Sequence, residues 1–243
     1  MQVTPELTIK KILGESYYRK IRKWIEEIAQ DTTYSLDIKP LTQKDLLDFI
    51  PFYEKIITTK HNNKIINLEQ QYIGQIGNNS WLYFASLKKN NQFLAGAISR
   101  NKLLRGKNTM VGCVQVGSSE KINNVPCLYY MEYLFFQLWF DLKVACFSDG
   151  KDPNCYGFLG PNIGLAIHKL QKGYFPYSSS DIQITTIDTE KILVPTLLFL
   201  TEGLDIEQRC KEALIWRWTD SNDGIMNELS TLLRKRGIFH IFQ

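Results

Sequence analysis

From Phe147 to Pro176 the chain reads Phe-Ser-Asp-Gly-Lys, then a loop rich in Gly, Pro and Asn, then Ile-His-Lys-Leu-Gln-Lys-Gly-Tyr-Phe-Pro. No other segment constrains the fold as much. The apolar run 144–148 stops at Asp149-Gly150 and reads as a short buried strand ended by a turn. Residues 162–172 read as a helix closed by Gly173, with Pro176 just beyond its end. Strand, turn, helix, glycine and proline in that order belong to a mixed α/β domain.

The rest of the chain supplies the elements around this unit. Between Pro5 and Ala29, apolar residues recur at intervals of three and four, the period of an amphipathic helix, with Gly14 as an interruption. Lys10, Lys11, Arg19, Lys20, Arg22 and Lys23 fall mostly on its other face, either as a solvated surface or as a docking surface for an acidic partner. Tyr34–Leu41 alternates as a strand, and Thr42-Gln-Lys-Asp45 opens a capped helix. Residues 67–76 predict a second short helix ended by Gly77. Residues 81–87 and 93–99 predict a hairpin across Lys88-Lys-Asn-Asn91, and 110–116 a third strand. The segment 128–142 is apolar nearly all round, so a helix there should be buried. Beyond the central unit, 182–187 alternates, 193–200 is an apolar run, and helices are predicted at 206–218 and 224–236 before the closing apolar segment 238–242. No linker composition divides the chain, which predicts a single domain over 1–243 with a helical extension at 1–33 and a C-terminal extension at 188–243.

With 44% apolar residues the chain can bury a substantial core, which excludes disorder. A net charge of +4 suits acidic partners but is far below the clustered basic face of a DNA-binding protein. The five cysteines are odd in number and lack zinc spacing, so no metal site and no disulfide framework are expected. The runs 134–140 and 193–200 are far too short for a membrane span, and the first residues do not read as a secretory signal. Together these features predict a cytoplasmic protein with reduced thiols.

From Tyr34 the order strand, helix, helix, three strands, helix, strand, helix, strand resembles the GNAT acyltransferase fold. This is an α/β (α+β) architecture, a central mixed and mostly antiparallel sheet flanked by helices, here with extra helices at both ends. Asp149-Gly-Lys151 after the strand, with Lys169-Leu-Gln-Lys172-Gly173 before Pro176, is similar to the FemAB-like branch over about residues 34–187. The resemblance implies an N-acyltransferase that takes an acyl group, fatty chains included, from a carrier thioester, acyl-CoA or acyl-ACP. The acceptor would be a primary amine of a small molecule or a lysine or ornithine side chain of a peptide, as in natural product biosynthesis. Two other readings remain open: a FemAB-like transferase using aminoacyl-tRNA, and a GNAT-fold binding protein without chemistry. One departure bears on the donor. Coenzyme-A-using members carry Gln/Arg-x-x-Gly-x-Gly/Ala before the helix that follows the third central strand, where backbone N–H groups bind diphosphate. Here the segment reads Gln115-Val-Gly-Ser-Ser-Glu-Lys-Ile-Asn-Asn, with one glycine and an acidic residue.

Acyl transfer to an amine needs a base, donors for an oxyanion and a slot for the carrier arm. The resemblance places exposed backbone N–H groups at 114–117 and 145–148, with Val116 N–H or that of a near neighbour facing the carbonyl oxygen. Gln115, Val116, Gly117, Ser118, Ser119 and Lys151 are the expected donor-binding residues. Asp149 and Glu132 are the leading candidate bases, ahead of His168, which titrates near neutrality when unperturbed. Each has a plain structural alternative: a turn-forming Asp-Gly, a carboxylate at a helix edge, a histidine on an amphipathic helix. Tyr156 is a candidate acid for the leaving thiolate. Arg100 and Asn101 are expected to orient the acceptor, and Tyr133 and Phe136 either pack the core or line a tunnel for the acyl chain. Cys113 and Cys146 read as core residues on strands.

Overall fold

A computed structural model describes residues 5–28, 31–61, 65–77, 81–104, 107–148, 163–176, 196–204, 209–216 and 223–242. These fall into two compact units, residues 1–150 and 151–243.

The first unit begins with α1 (Pro5–Leu13) and α2 (Glu15–Ile28), separated by Gly14 at φ 83°, a left-handed conformation that glycine adopts without cost. Next come β1 (Tyr34–Pro40), α3 (Gln43–His61), α4 (Leu68–Tyr72) with a 3₁₀ turn at Ile73–Gln75, β2 (Leu82–Lys89), β3 (Gln92–Leu104) and β4 (Lys107–Gly117). A two-residue-stranded hairpin, β5 (Lys121–Ile122) and β6 (Val125–Pro126), leads into α5 (Cys127–Asp141), and β7 (Cys146–Ser148) follows. The five-stranded sheet has the order β1-β2-β3-β4-β7; the first four strands are antiparallel and β7 is parallel to β4. This mixed, mostly antiparallel sheet with flanking helices is the architecture that the sequence predicts.

Alternation along the strands divides the core. One face carries Phe84, Ile98, Val114 and Val116 against Leu46, Phe49 and Tyr53 of α3 and Leu68 and Tyr72 of α4. The other carries Ala85, Leu87, Ala95, Ala97 and Met110 against α5, with Ile21 and Trp24 of α2 packed into the same cluster. Asn67 caps α4 by accepting the Gln70 N–H at 2.9 Å, and Gly77 at φ 85° ends the predicted helical segment. The β2–β3 turn is Asn90-Asn91, both at positive φ (49° and 62°), as a two-residue hairpin turn requires. Asn123-Asn124 repeats that device (49° and 60°) between β5 and β6, a hairpin that the sequence reading leaves as loop.

In the second unit, α6 (Ile163–Gln171) ends at Gly173, φ 95°, as predicted. A three-stranded sheet of order β10-β9-β8 follows, built from β8 (Thr196–Leu204), β9 (Cys210–Trp216) and β10 (Phe239–Phe242), with α7 (Asp223–Lys235) before its last strand. The predicted helix at 206–218 is therefore corrected to the strand β9. Lys-Glu-Ala-Leu is helix-favouring composition, but β9 is the central strand, bonded antiparallel to β8 and parallel to β10, and those ladders override local propensity. Ala213 and Ile215, on one face of β9, pack with Ala166, Leu170, Leu229 and Leu233 of α6 and α7. The alternating segment 182–187 lies outside the described residues. Among the described residues, no helix is long and apolar enough to cross a membrane.

Candidate active site

β4 pairs with β3 along its length and with β7 through Thr109–Val111 and Cys146–Ser148. The β3–β4 register breaks in the middle: Ile98 faces Val114 and Ser99 faces Gly112, leaving Cys113 as a bulged extra residue. A bulge re-aims the side chains around it. Here it brings Cys113 to the α3–α4 face, beside residues from three other elements.

The Cys113 thiol donates to Val111 O at 3.4 Å and neighbours the Tyr72 hydroxyl and Arg100. Burial pushes the thiol's pKa up, against the opposing influence of Arg100, Tyr72 and Lys102. Burial, and then Cys113, also push the Tyr72 phenol up, so both groups keep their protons at neutral pH. Tyr53, which also acts on Tyr72, accepts the Ile66 N–H at 3.2 Å and so ties α3 to the start of the α4 segment. Arg100 completes the cluster; its Nε is buried and has no hydrogen-bond partner. Arg100 was legible from the sequence as a strand-end cation. Tyr53, Tyr72 and the outward turn of Cys113 were not, because a bulge leaves no mark in the periodicity.

Asn101, expected beside Arg100, points to the opposite face, since successive strand residues alternate. Its backbone N–H donates to Trp81 O at 2.8 Å, and its Oδ1, like Ser99 Oγ, is buried without a hydrogen-bond partner. The pair therefore does not form one site.

Glu132 is half-buried on α5, across the sheet from Arg100. Burial, followed by the charge of Glu132, raises the pKa of Tyr129 on the same helix. Tyr133 and Phe136 are both core residues at 6% and 1% exposure. Phe136 packs edge-on to Trp139 with centroids 4.7 Å apart. The Tyr133 hydroxyl accepts from Gln137 Nε2 at 2.8 Å and borders an open groove of about 330 Å³ between α2, β1 and α5. His168, on α6 of the second unit, departs from the neutral titration expected of it. Burial and then the charges of Lys172 and Lys169 lower its pKa to about 4, so it is neutral at physiological pH. Asp149, Lys151 and Tyr156 lie outside the described residues, as does the Gly/Pro/Asn loop.

The donor segment after β4 is well defined. Val116 is buried, and Ser118 N–H closes the end of β4 by donating to Leu94 O at 2.7 Å. Ser118 Oγ accepts the Glu120 N–H at 3.3 Å, while Ser119 is exposed and Gln115 half-buried. The β5–β6 hairpin then packs onto the first turns of α5: Cys127 Sγ donates to Glu120 O at 3.3 Å and the Tyr130 hydroxyl to Ile122 O at 3.1 Å. Ile122 and Val125 sit in the core. Space over Gly117 is filled by Leu128. A diphosphate cradle needs a run of small residues whose N–H groups face outward at the helix start; this hairpin does not provide one, and the residues present do not fit the coenzyme A grip.

No protein-family model matches the chain, and no curated protein matches it. Solved structures do. A predicted acetyltransferase from Clostridium acetobutylicum, solved with acetyl-CoA, is similar at TM-score 0.44 and 10% identity, over 62% of this chain and 96% of that one. A ribosomal-protein-alanine N-acetyltransferase from Brucella melitensis biovar Abortus 2308 is similar at TM-score 0.41 and 9% identity, over 63% and 99%. An aminoglycoside acetyltransferase from an uncultured soil metagenomic sample, solved in complex with trehalose, is similar at 0.37 and 12%, over 65% and 95%.

Proposed function

We propose that this chain is an N-acyltransferase that moves an acyl group from a carrier thioester to a primary amine. The observation that carries this reading is the strand arrangement. Four antiparallel strands end in a bulged β4 that runs on through Gly112–Gly117 after its pairing with the parallel strand β7. A thioester laid along that stretch would have a backbone N–H, that of Gln115 by this reading, for the oxyanion that forms when the amine attacks. Val116 N–H points instead into the β3 ladder, on the same side as Ser118 N–H, which donates to Leu94 O. The amine nitrogen bonds to the carbonyl carbon, its proton passes to Asp149, and the carbon–sulfur bond breaks. The leaving thiolate takes a proton from Tyr156.

The donor is an acyl group on a carrier protein. One feature supports this over acyl-CoA: the tight Asn-Asn hairpin in place of a glycine-rich cradle. Accurate mass measurement of an amine panel after incubation with acyl-ACP, acyl-CoA or charged tRNA tests the proposal. Product with acyl-ACP supports it in full, product with acyl-CoA corrects the donor, and RNase-sensitive product with tRNA moves the chain to the FemAB-like chemistry. No product with any donor leaves a binding protein.

A further inference from the structure

Among the described residues, no carboxylate balances the charge of Arg100. A guanidinium stays protonated at any accessible pH, and partial burial without a counter-charge is costly. Among the described residues Arg100 makes no ion pair, and its Nε is shut off from water without a hydrogen-bond partner. The groups packed beside it, the Tyr72 hydroxyl and the Cys113 thiol, are uncharged, and the second charge acting on that thiol is Lys102, also positive. Ile65 and Ile66, just before α4, are 42% and 50% exposed, and the Ile66 backbone is bonded to Tyr53 of the same cluster. A positive, partly dry group near exposed apolar side chains suits an anion attached to a hydrocarbon body.

We infer that the amine acceptor carries an anionic group, carboxylate or phosphate, that pairs with Arg100. This rests on the acyltransferase reading for the word acceptor, though not for the binding itself. Calorimetric titration without donor uses two matched pairs that differ only in the anion: L-leucine against 3-methylbutylamine, and O-phosphoethanolamine against ethanolamine. At least one member carrying the anion should bind about tenfold to a hundredfold tighter than its counterpart without it, as expected for a charge-assisted hydrogen bond pair. Arg100→Gln should erase that difference and Arg100→Lys should retain part of it, since it keeps the charge and loses the planar fork. Equal affinity within both pairs in the unmodified protein, absence of binding by all four, or a difference that survives in folded R100Q would each overturn the inference. The two proposals separate cleanly. Arg100-dependent binding without acylated product under any donor fails the transferase reading alone, whereas acylation of 3-methylbutylamine as fast as of leucine fails this one alone.

Discussion

Leu128 of α5 occupies the space where Gly117, the last residue of β4, would carry a side chain: a Cβ there would stand 2.9 Å from Leu128 Cγ and 3.3 Å from its Cδ2. Gly117 is thus required by contact between strand and helix. Gly117→Ala should destabilise the first unit by about 1–3 kcal/mol, the usual cost of overpacking. Chemical denaturation measures it, and an unchanged midpoint would show that α5 gives way freely.

The start of α3 makes stability depend on acid. Burial raises the Asp45 carboxyl, but hydrogen bonds from Thr42 and Lys39 outweigh it, and the folded pKa lies below the ordinary value. Thr42 Oγ1 donates to Asp45 Oδ2 and accepts the Asp45 N–H at 3.1 Å, while Lys39 Nζ lies 2.9 Å from Asp45 Oδ1. A depressed carboxylate contributes stability above its unfolded pKa and loses it as pH falls through the folded one. Thr42→Ala should therefore cost about 1 kcal/mol at neutral pH, and less near about pH 3. Urea unfolding of both proteins at each pH decides; a constant difference removes Asp45 from the account.

His168 works in the same direction on the second unit. Its pKa drops from 6.5 to about 4 through burial, then Lys172 and Lys169, so the folded state resists the proton that the unfolded chain accepts. The stabilisation is complete above pH 6.5 and is lost as pH falls from 6.5 towards 4. His168→Gln should flatten the stability profile across that window. An unchanged slope between pH 6.5 and 4 would mean that His168 is protonated in the folded protein.

Phe136→Ala should act on folding and not on substrate choice. The ring is 1% exposed and packed on Trp139, so truncation leaves a core cavity costing about 3–5 kcal/mol. Acyl-chain preference, measured with a series of thioesters, should stay where it was. A shifted preference would return Phe136 to a tunnel wall.

What the sequence made legible was set by how local each signal is. Gly14, Gly77 and Gly173 end helices through their own backbone freedom, and Asn90-Asn91 makes its turn through two residues. Asn123-Asn124 carries the same signal, but its strands are so short that no alternation flanks it to mark a hairpin. β9 fails for the opposite reason: its conformation comes from β8 and β10, with the β10 partner residues lying more than a helix away in sequence. At the candidate site, Arg100 was visible as a cation ending a strand run. Its neighbours Tyr72 and Cys113 are assembled by α4 packing and by a register break, neither of which composition or spacing records.

The bulge at Cys113 also acts as a change of parity. Before it, Met110 faces α5; after it, Val114 and Val116 face α3 and α4, and Gly117 returns to α5. An unbroken strand would send all even-numbered positions to one layer. Losing a single residue at this point would thus invert the strand's whole distal half, putting both valines against α5 and turning Gln115 towards Phe49 and Tyr72. Cys113 can be exchanged for another small side chain far more readily than it can be deleted, because what the fold reads there is a count.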